Sequence, residues 1–114
     1  MKSYKKGEKI ATRQAYSDFL VEAGAKRTDL IVMDADLSGS TKTKAFAREF
    51  PKRFVQSGIS EQDLMAEAAG IAATGHVVCA SSFAMFAAGR AYEIIRNSIA
   101  ANGLNVKVCA THAG

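Results

Sequence analysis

Residues 57–82 read SGISEQDLMAEAAGIAATGHVVCASS. Ser60 is a helix-capping residue type, and Glu61 and Asp63 would follow it in the first turn, so a helix is predicted to begin at Glu61. Residues 76–80 then form a short apolar run that ends in two serines, which is typical of a buried strand. A helix followed within a few residues by a buried strand indicates an α/β fold.

The same alternation extends in both directions along the chain. Thr12 is a predicted cap for a first amphipathic helix, and Gly24 is its predicted stop. Pro51 ends a second predicted helix. The other predicted elements are strands at 30–33, 53–56 and 106–110 and helices at 44–50 and 84–101. This order predicts an α/β fold with an open, mostly parallel sheet and helices on both faces.

The length of 114 residues fits one domain or part of one. We divide it into a basic N-terminal arm, residues 1–10, and a partial domain, residues 11–114. The arm carries Lys2, Lys5, Lys6 and Lys9, which are typical of a solvated terminus. Because no helix follows the last predicted strand, one sheet face would lack cover, and we expect a truncated piece of a longer subunit.

The composition excludes several classes of protein. The formal net charge is +4, yet the basic residues of the first half are interspersed with acids, so a nucleic-acid role is the weakest interpretation. No apolar run reaches the ~18–20 residues of a membrane span. Cys79 and Cys109 lie in apolar runs, as reduced buried thiols do, and no zinc-ligand spacing is present. We therefore expect a cytoplasmic protein.

Polar residues follow each predicted strand, at the sheet edge where parallel α/β proteins bind ligands. Taken singly, each has a structural explanation: Glu61 as a helix-end charge, Phe83 and Phe86 as core residues, His112 as a structural histidine. Their joint placement predicts a site. The sequence has neither a G-x-G-x-x-G nor a Walker A phosphate motif. The polar positions are Asp34, Asp36, 57–61, 81–86, Thr111 and His112.

Four stretches in order carry a family resemblance: MDADLSGSTKTKAFAREFPKRF, SGISEQDLMAEAAGIAATG, SSFAMFAAGRAYEIIRNSIA and LNVKVCATHAG. Together they resemble the pyrimidine-binding domain of transketolase, in the form whose two halves are separate polypeptides. The resemblance extends from about Ile10 to Gly114 and implies a transferase that uses thiamine diphosphate. It also implies that Glu61, within G-I-S-E-Q, hydrogen-bonds N1′ of the cofactor's aminopyrimidine and so promotes proton loss at thiazolium C2.

The resemblance assigns further cofactor and substrate contacts. Phe83 and Phe86 match aromatics that pack against the aminopyrimidine, and a third aromatic of many members falls at Gly89 here. Asp36 matches an aspartate near the thiazolium edge. His112 matches a histidine that faces the sugar substrate, so Glu61 and His112 are the predicted catalytic residues.

The diphosphate half of the family's site has no counterpart in this sequence. The family holds the diphosphate through Mg²⁺ and a G-D-G motif, which is absent here, so no metal ligand is predicted. The resemblance implies that a complementary diphosphate-binding subunit supplies that half, in a homodimer or heterotetramer. Small residues after Glu61 would suit close helix packing between two copies.

The expected reaction moves a two-carbon ketol unit from a ketose phosphate to an aldose phosphate, in the pentose phosphate pathway. Three alternatives remain open: a deoxyxylulose-phosphate synthase, a 2-oxoacid dehydrogenase beta subunit, or a non-catalytic interaction module. The D-A-D-L-S-G-S-T and T-H-A-G stretches favour transketolase.

Overall fold

A parallel four-stranded sheet forms the centre of the molecule. The computed structural model describes residues 3–114. The strands are β1 (Leu30–Asp34), β2 (Phe54–Gln56), β3 (Val77–Ser81) and β4 (Val106–Val108). They lie in the order β2-β1-β3-β4, and every neighbouring pair is parallel. The predicted fold class, an open parallel sheet in an α/β domain, is confirmed.

Helices cover both faces of this sheet. On one face, α4 and the segment 86–100 bury a core of small and aliphatic residues, and on the other a smaller core lies beneath α1 and α3. We call these the α4 core and the α1 core. The helices are α1 (Thr12–Lys26), α2 (Ser38–Thr41), α3 (Lys44–Glu49) and α4 (Glu61–Ala73), with a 3₁₀ turn at Pro51–Arg53.

Helix α4 begins where it was predicted, but its N-cap residue makes no side-chain hydrogen bond to the helix. The helix begins at Glu61, with Glu61 and Asp63 in the first turn. Ser60 is the N-cap residue, as predicted, but its hydroxyl donates to the carbonyl of Ser57 at 2.6 Å and makes no capping bond to the helix. Ser60 instead braces the turn that leads from β2 into the helix.

Both predicted boundary signals of α1 are wrong. The N-cap is Ala11, with no side-chain cap bond, and Thr12 is already the first helical residue. Gly24 lies inside the helix, which continues to Lys26. Gly24 is buried where a Cβ atom would meet Phe46 and Phe50, so close packing with α3 explains this glycine better than helix termination does.

The segment 86–100 departs from the single α-helix predicted at 84–101. It consists of a π-helical stretch at Phe86–Arg90, a short α-helical piece, α5, at Tyr92–Ile94, and a second π-helical stretch at Ile95–Ala100. Wider π turns change which side chains share a helix face, and such turns are frequent at functional sites. The first stretch carries Phe86 and Arg90 together.

The N-terminal arm is described only in part. Lys2 lies outside the described residues, whereas Lys5, Lys6 and Lys9 are exposed to solvent. The division of the chain at residues 1–10 and 11–114 stays a prediction. Within residues 3–114, no helix has the length and apolar character needed to cross a membrane.

Candidate functional site

The carboxyl ends of β1, β3 and β4 meet at one edge of the sheet. The Ala35 N–H donates to the Ser81 carbonyl at 3.3 Å, and the Thr111 N–H donates to the Ser82 carbonyl at 3.1 Å. Phe83 and Thr111 add a further parallel bridge beyond the strands. The segments that carry the candidate residues are therefore held together by backbone hydrogen bonds, as the sheet topology requires.

Glu61 is a buried carboxylate paired with an arginine. Its side chain is 2% exposed, and Arg90 Nη1 lies 2.9 Å from Glu61 Oε2, while the Arg90 side chain is 53% exposed. The Arg90 guanidinium also lies over the Phe86 ring, 5.0 Å from its centroid. The pair links the first turn of α4 to the first π-helical stretch and gives a buried negative charge a countercharge.

The sequence analysis missed Arg90, although the sequence carries a signal for it. Arg90 is the only Lys or Arg between residues 58 and 95, and it lies within the otherwise small and apolar run FAMFAAGRA. A lone cation in such a run needs an acidic partner or solvent. The π-helical turn that brings it to Glu61 is not visible in the residue spacing.

Phe83 and Phe86 form a short aromatic surface next to this pair. Their ring centroids are 5.8 Å apart and their planes differ by 21°, and both side chains are half-buried. The His112 ring packs on Phe83 with a centroid distance of 4.3 Å. Three of the predicted site residues are thus in one contiguous cluster, and Arg90 connects that cluster to Glu61.

His112 is held by two neighbouring side chains. Arg13 Nη1 lies 3.2 Å from His112 Nε2, and Thr111 Oγ1 lies 2.8 Å from His112 Nδ1. Since a guanidinium can only donate, Nε2 accepts and the ring proton is on Nδ1, directed at Thr111. The sequence analysis gave no role to Arg13. Arg13 Nη1 also donates to the carbonyl of Ser40 at 3.3 Å.

A cavity of about 270 Å³ opens beside His112 and Arg13. It is lined by the start of α1 and by the residues that follow β4. The guanidinium at its wall has a fork of N–H donors that suits a phosphate or carboxylate group. The lining residues are Ala11, Thr12, Arg13, Thr111 and His112.

Asp36 lies in the loop after β1 and is exposed. Its backbone has a positive φ of 57°, and its N–H donates to Gln56 Oε1 at 2.6 Å. A non-glycine residue in this conformation is uncommon and indicates a loop that the surroundings hold in place. Asp36 is therefore fixed from the β2 side of the sheet edge.

Asp34 organises that loop from within. It is fully buried and accepts hydrogen bonds from the Leu37 N–H at 2.6 Å, Thr41 Oγ1 at 2.7 Å and Thr43 Oγ1 at 3.0 Å. Burial raises the pKa of the Asp34 carboxyl, and the hydrogen bonds from Thr41 and Leu37 oppose that rise. Asp34 therefore holds the chain that positions Asp36.

One buried polar atom at the site lacks a partner. Among the described residues, Ser82 Oγ is the buried side-chain oxygen with no hydrogen bond, and Ser82 directly precedes Phe83. An orphaned buried hydroxyl is costly unless a bound group uses it. Across residues 3–114, no group of three or more His, Cys, Asp or Glu side chains is arranged to hold a metal ion.

Comparisons with known proteins agree on one family. Residues 8–114 match the family "transketolase, pyrimidine binding domain". A protein of Methanocaldococcus jannaschii named as a transketolase C-terminal section is 58% identical over 102 residues, covering 90% of this chain and 32% of that protein. The transketolase of Homo sapiens is 38% identical over 113 residues, covering 98% of this chain and 18% of that protein.

A solved structure agrees with these matches. It is a split-gene transketolase described as an inactive β4 tetramer, with a TM-score of 0.84 and 57% identity. The similarity covers 92% of this chain and 35% of that one. This chain therefore spans well under half the length of each of these relatives.

Proposed function

Because this chain belongs to the transketolase family through its pyrimidine-binding domain, we propose that it supplies the aminopyrimidine half of a thiamine diphosphate site in a two-subunit transketolase. The observation that carries the proposal is the buried Glu61 carboxylate at the start of α4, joined through Arg90 to the Phe86 ring. It lies next to the cluster of aromatic and imidazole rings at the carboxyl edge of the sheet.

The residues at this edge fit an aminopyrimidine. Phe83 and Phe86 offer half-buried ring surfaces for stacking. Glu61 offers a carboxylate in a dry environment, where a hydrogen bond to a ring nitrogen is stronger than in water. Ser82 Oγ is an unpartnered polar atom beside them that a polar ring substituent would satisfy.

When bound, thiamine diphosphate would supply a thiazolium carbon with a removable proton, as a nucleophile for a ketose carbonyl. In the proposal, Glu61 hydrogen-bonds N1′ of the aminopyrimidine and so favours the tautomer that takes up that proton. In the structure, Arg90 Nη1 donates a hydrogen bond to Glu61 Oε2. Arg90 must therefore release this oxygen, or share the carboxylate through the other oxygen, for Glu61 to take this role.

The substrate contacts follow from the cavity beside α1. His112 faces this cavity with its Nε2 held by Arg13, and we assign it to the sugar substrate. Arg13 can pair with the substrate's phosphate, because its guanidinium has donors other than Nη1, which serves Ser40 and His112. Asp36, in the loop after β1, is assigned to the thiazolium edge. The proposed reaction transfers a two-carbon ketol unit between sugar phosphates.

A partner subunit completes the site in this proposal. The chain has no G-D-G motif, and Mg²⁺ with its diphosphate ligands would come from the complementary subunit. The related split-gene β4 tetramer is described as inactive, which supports a requirement for another subunit in that protein and, we infer, in this one. The expected assembly is a homodimer or a heterotetramer.

Hydrogen–deuterium exchange at C2 of thiamine diphosphate tests the proposal. The chain is combined with Mg²⁺ and a complementary diphosphate-binding subunit, and wild type is compared with Glu61→Gln. Glu67→Gln is the matched control, because Glu67 is an exposed glutamate on the same helix. A positioned acid–base group contributes about 10²–10⁴-fold. Because the aminopyrimidine depends on Glu61 for this role in the proposal, we expect exchange to slow by about that factor in Glu61→Gln and not in Glu67→Gln.

Three outcomes contradict the proposal. Equal exchange in wild type and Glu61→Gln removes Glu61 from the chemistry. Turnover of pyruvate with glyceraldehyde phosphate, without turnover of a ketose phosphate and an aldose phosphate, assigns the chain to a deoxyxylulose-phosphate synthase instead. Absence of any cofactor response with every partner indicates a non-catalytic module.

A further inference from the structure

Two cysteine side chains lie in the same core, beneath α1. Cys79 on β3 pairs in register with Lys107 on β4, and the Cys109 N–H donates to the Ala80 carbonyl at 2.8 Å. Cys109 is thus diagonal to Cys79 on neighbouring strands, and both side chains belong to the α1 core. Cys109 packs against the buried cluster that contains Cys79, with Tyr16 in the same cluster.

The two thiols differ in their access to solvent. Cys79 is buried, whereas Cys109 is half-buried and lines a cavity of about 210 Å³. Arg13 and Tyr16 of α1 form another part of the cavity wall. A small reagent can therefore reach Cys109 from this cavity, while Cys79 is only 4% exposed and lines a separate cavity of about 270 Å³.

The groups around Cys109 favour its thiolate. Tyr16 of α1 lines the same cavity, with its hydroxyl bonded to Ser81 Oγ at 2.9 Å, and Cys79 of β3 packs in the same core. Lys107 is two residues earlier on the same strand, and Arg13 lines the same cavity. Two neutral hydrogen-bond donors and two cations, with no carboxylate among the cavity-lining residues, are the surroundings in which cysteines react.

We propose that Cys109 is a thiol-exchange site for small anionic disulfides that enter this cavity. The Cys109 thiol gives its proton to water, and its sulfur attacks one sulfur of the disulfide. The disulfide's own S–S bond breaks, a new S–S bond joins Cys109 to one half, and the other half leaves as a thiolate. Arg13 favours an anionic reagent at the cavity wall.

The protonation of the three groups agrees with this geometry. The hydrogen bond from the Cys79 thiol lowers the pKa of Cys109 to about 7, with help from Tyr16 and Lys107 and against the effect of burial. The interaction with Cys109, followed by burial, raises the pKa of Cys79, and burial raises the pKa of Tyr16. Both neighbours therefore keep their protons and remain donors at neutral pH.

Exchange at Cys109 would obstruct the neighbouring cavity. The cavity at Cys109 and the cavity at His112 share Thr12, Arg13 and Thr111. A group attached to Cys109 would occupy this space and displace the Arg13 guanidinium. The site thus gives an oxidising disulfide a way to block ligand entry beside His112, whatever that ligand is.

The test uses the chain alone with two chromogenic disulfides. Dithionitrobenzoate is dianionic and dithiodipyridine is neutral, and both report the released thiol by absorbance. We expect the rate to rise with pH about a midpoint near 7. At pH 7 the larger thiolate fraction outweighs the lower nucleophilicity, so the net rate is roughly 3-fold above that of an ordinary cysteine. Peptide mapping should place the adduct on Cys109.

Matched variants separate the contributions of Cys79, Tyr16 and Arg13 to the reactivity of Cys109. Cys79→Ser keeps a donor and should keep the midpoint, whereas Cys79→Ala removes the donor and should raise it toward the ordinary ~8.5. Tyr16→Phe is a second donor-removing variant that keeps the ring. Arg13→Gln should slow dithionitrobenzoate several-fold and leave dithiodipyridine nearly unchanged.

A near-ultraviolet spectrum and a melting curve of each variant show that the fold is intact. A wild-type midpoint near that of free cysteine overturns the proposal. An adduct mapped to Cys79, or an equal effect of Arg13→Gln on both reagents, overturns it as well.

Discussion

Replacing Gly24 with alanine is expected to destabilise the fold, although alanine is the better helix former. A Cβ atom at this position would lie 2.6 Å from Phe46 Cε2 and 2.6 Å from Phe50 Cε2. Phe46 is fully buried, and Arg53 stacks on the Phe50 ring at 4.3 Å from its centroid. Since both rings are held from their other sides, the added methyl group forces a shift between α1 and α3.

The size of the effect follows from two opposing terms. Overpacking of a filled core costs about 1–3 kcal/mol, and the upper half of this range applies because two rings must move. The gain in helix propensity from glycine to alanine offsets about 0.8–1 kcal/mol. The free energy of unfolding should therefore fall by about 1–2 kcal/mol, which lowers the melting midpoint by about 4–16 °C in a domain of this size.

Urea and thermal unfolding, followed by circular dichroism, measure this effect. Gly70→Ala is the matched control, because Gly70 is an exposed glycine within α4 and a Cβ there has no neighbour within 4 Å. That variant should be more stable by about 0.5–1 kcal/mol. The double variant Gly24→Ala with Phe50→Leu should recover part of the loss. A Gly24→Ala protein at least as stable as wild type refutes the packing argument.

Three further predictions concern buried charges. Asp34→Ala leaves three donors without their acceptor, so the free energy of unfolding should fall by about 3 kcal/mol in urea titrations. Because the folded pKa of Asp34 is raised above 3.8, its share of the stability falls as pH rises through that folded pKa, and Asp34→Asn should lose this pH dependence. Arg90→Ala unpairs buried Glu61 and should lower the melting midpoint more than Arg96→Ala, which removes an exposed arginine.

The parallel sheet could be predicted because its strands are continuous apolar runs. β1 at Leu30–Asp34 and the start of α4 at Glu61 both lie where the pattern indicated. The predicted boundary roles of Thr12 and Gly24 were wrong, and Ser60 holds the predicted N-cap position without a side-chain bond to the helix, because each residue type has a second common use. Gly24 provides space for Phe46 and Phe50, and Ser60 braces a turn.

The places of the candidate residues at the sheet edge could be predicted from the sequence, but their side-chain pairings could not. Sheet topology brings Phe83 and His112 together, as the strand ends indicated. Arg13 and Arg90 were missed because each acts across a long sequence separation. Two π-helical stretches also change which side chains of the segment 86–100 point toward the core. The helical periodicity of the sequence carries no signal for them. The five residue assignments, at Asp36, Glu61, Phe83, Phe86 and His112, stay predictions until a bound ligand tests them.

The pairing of Glu61 with Arg90 has a consequence for the proposed function. A buried carboxylate without a countercharge would destabilise the chain, so Glu61 needs a cation whenever no ligand is present. Arg90 meets that need from an exposed position, where water can solvate it after it withdraws. Arg90 and Phe86 belong to the same π-helical stretch, and the Arg90 guanidinium lies over the Phe86 ring. A ligand ring that stacks on Phe86 therefore competes with Arg90 for that face of the Phe86 ring. Ligand binding and release of the Glu61 carboxylate would then be one coupled event.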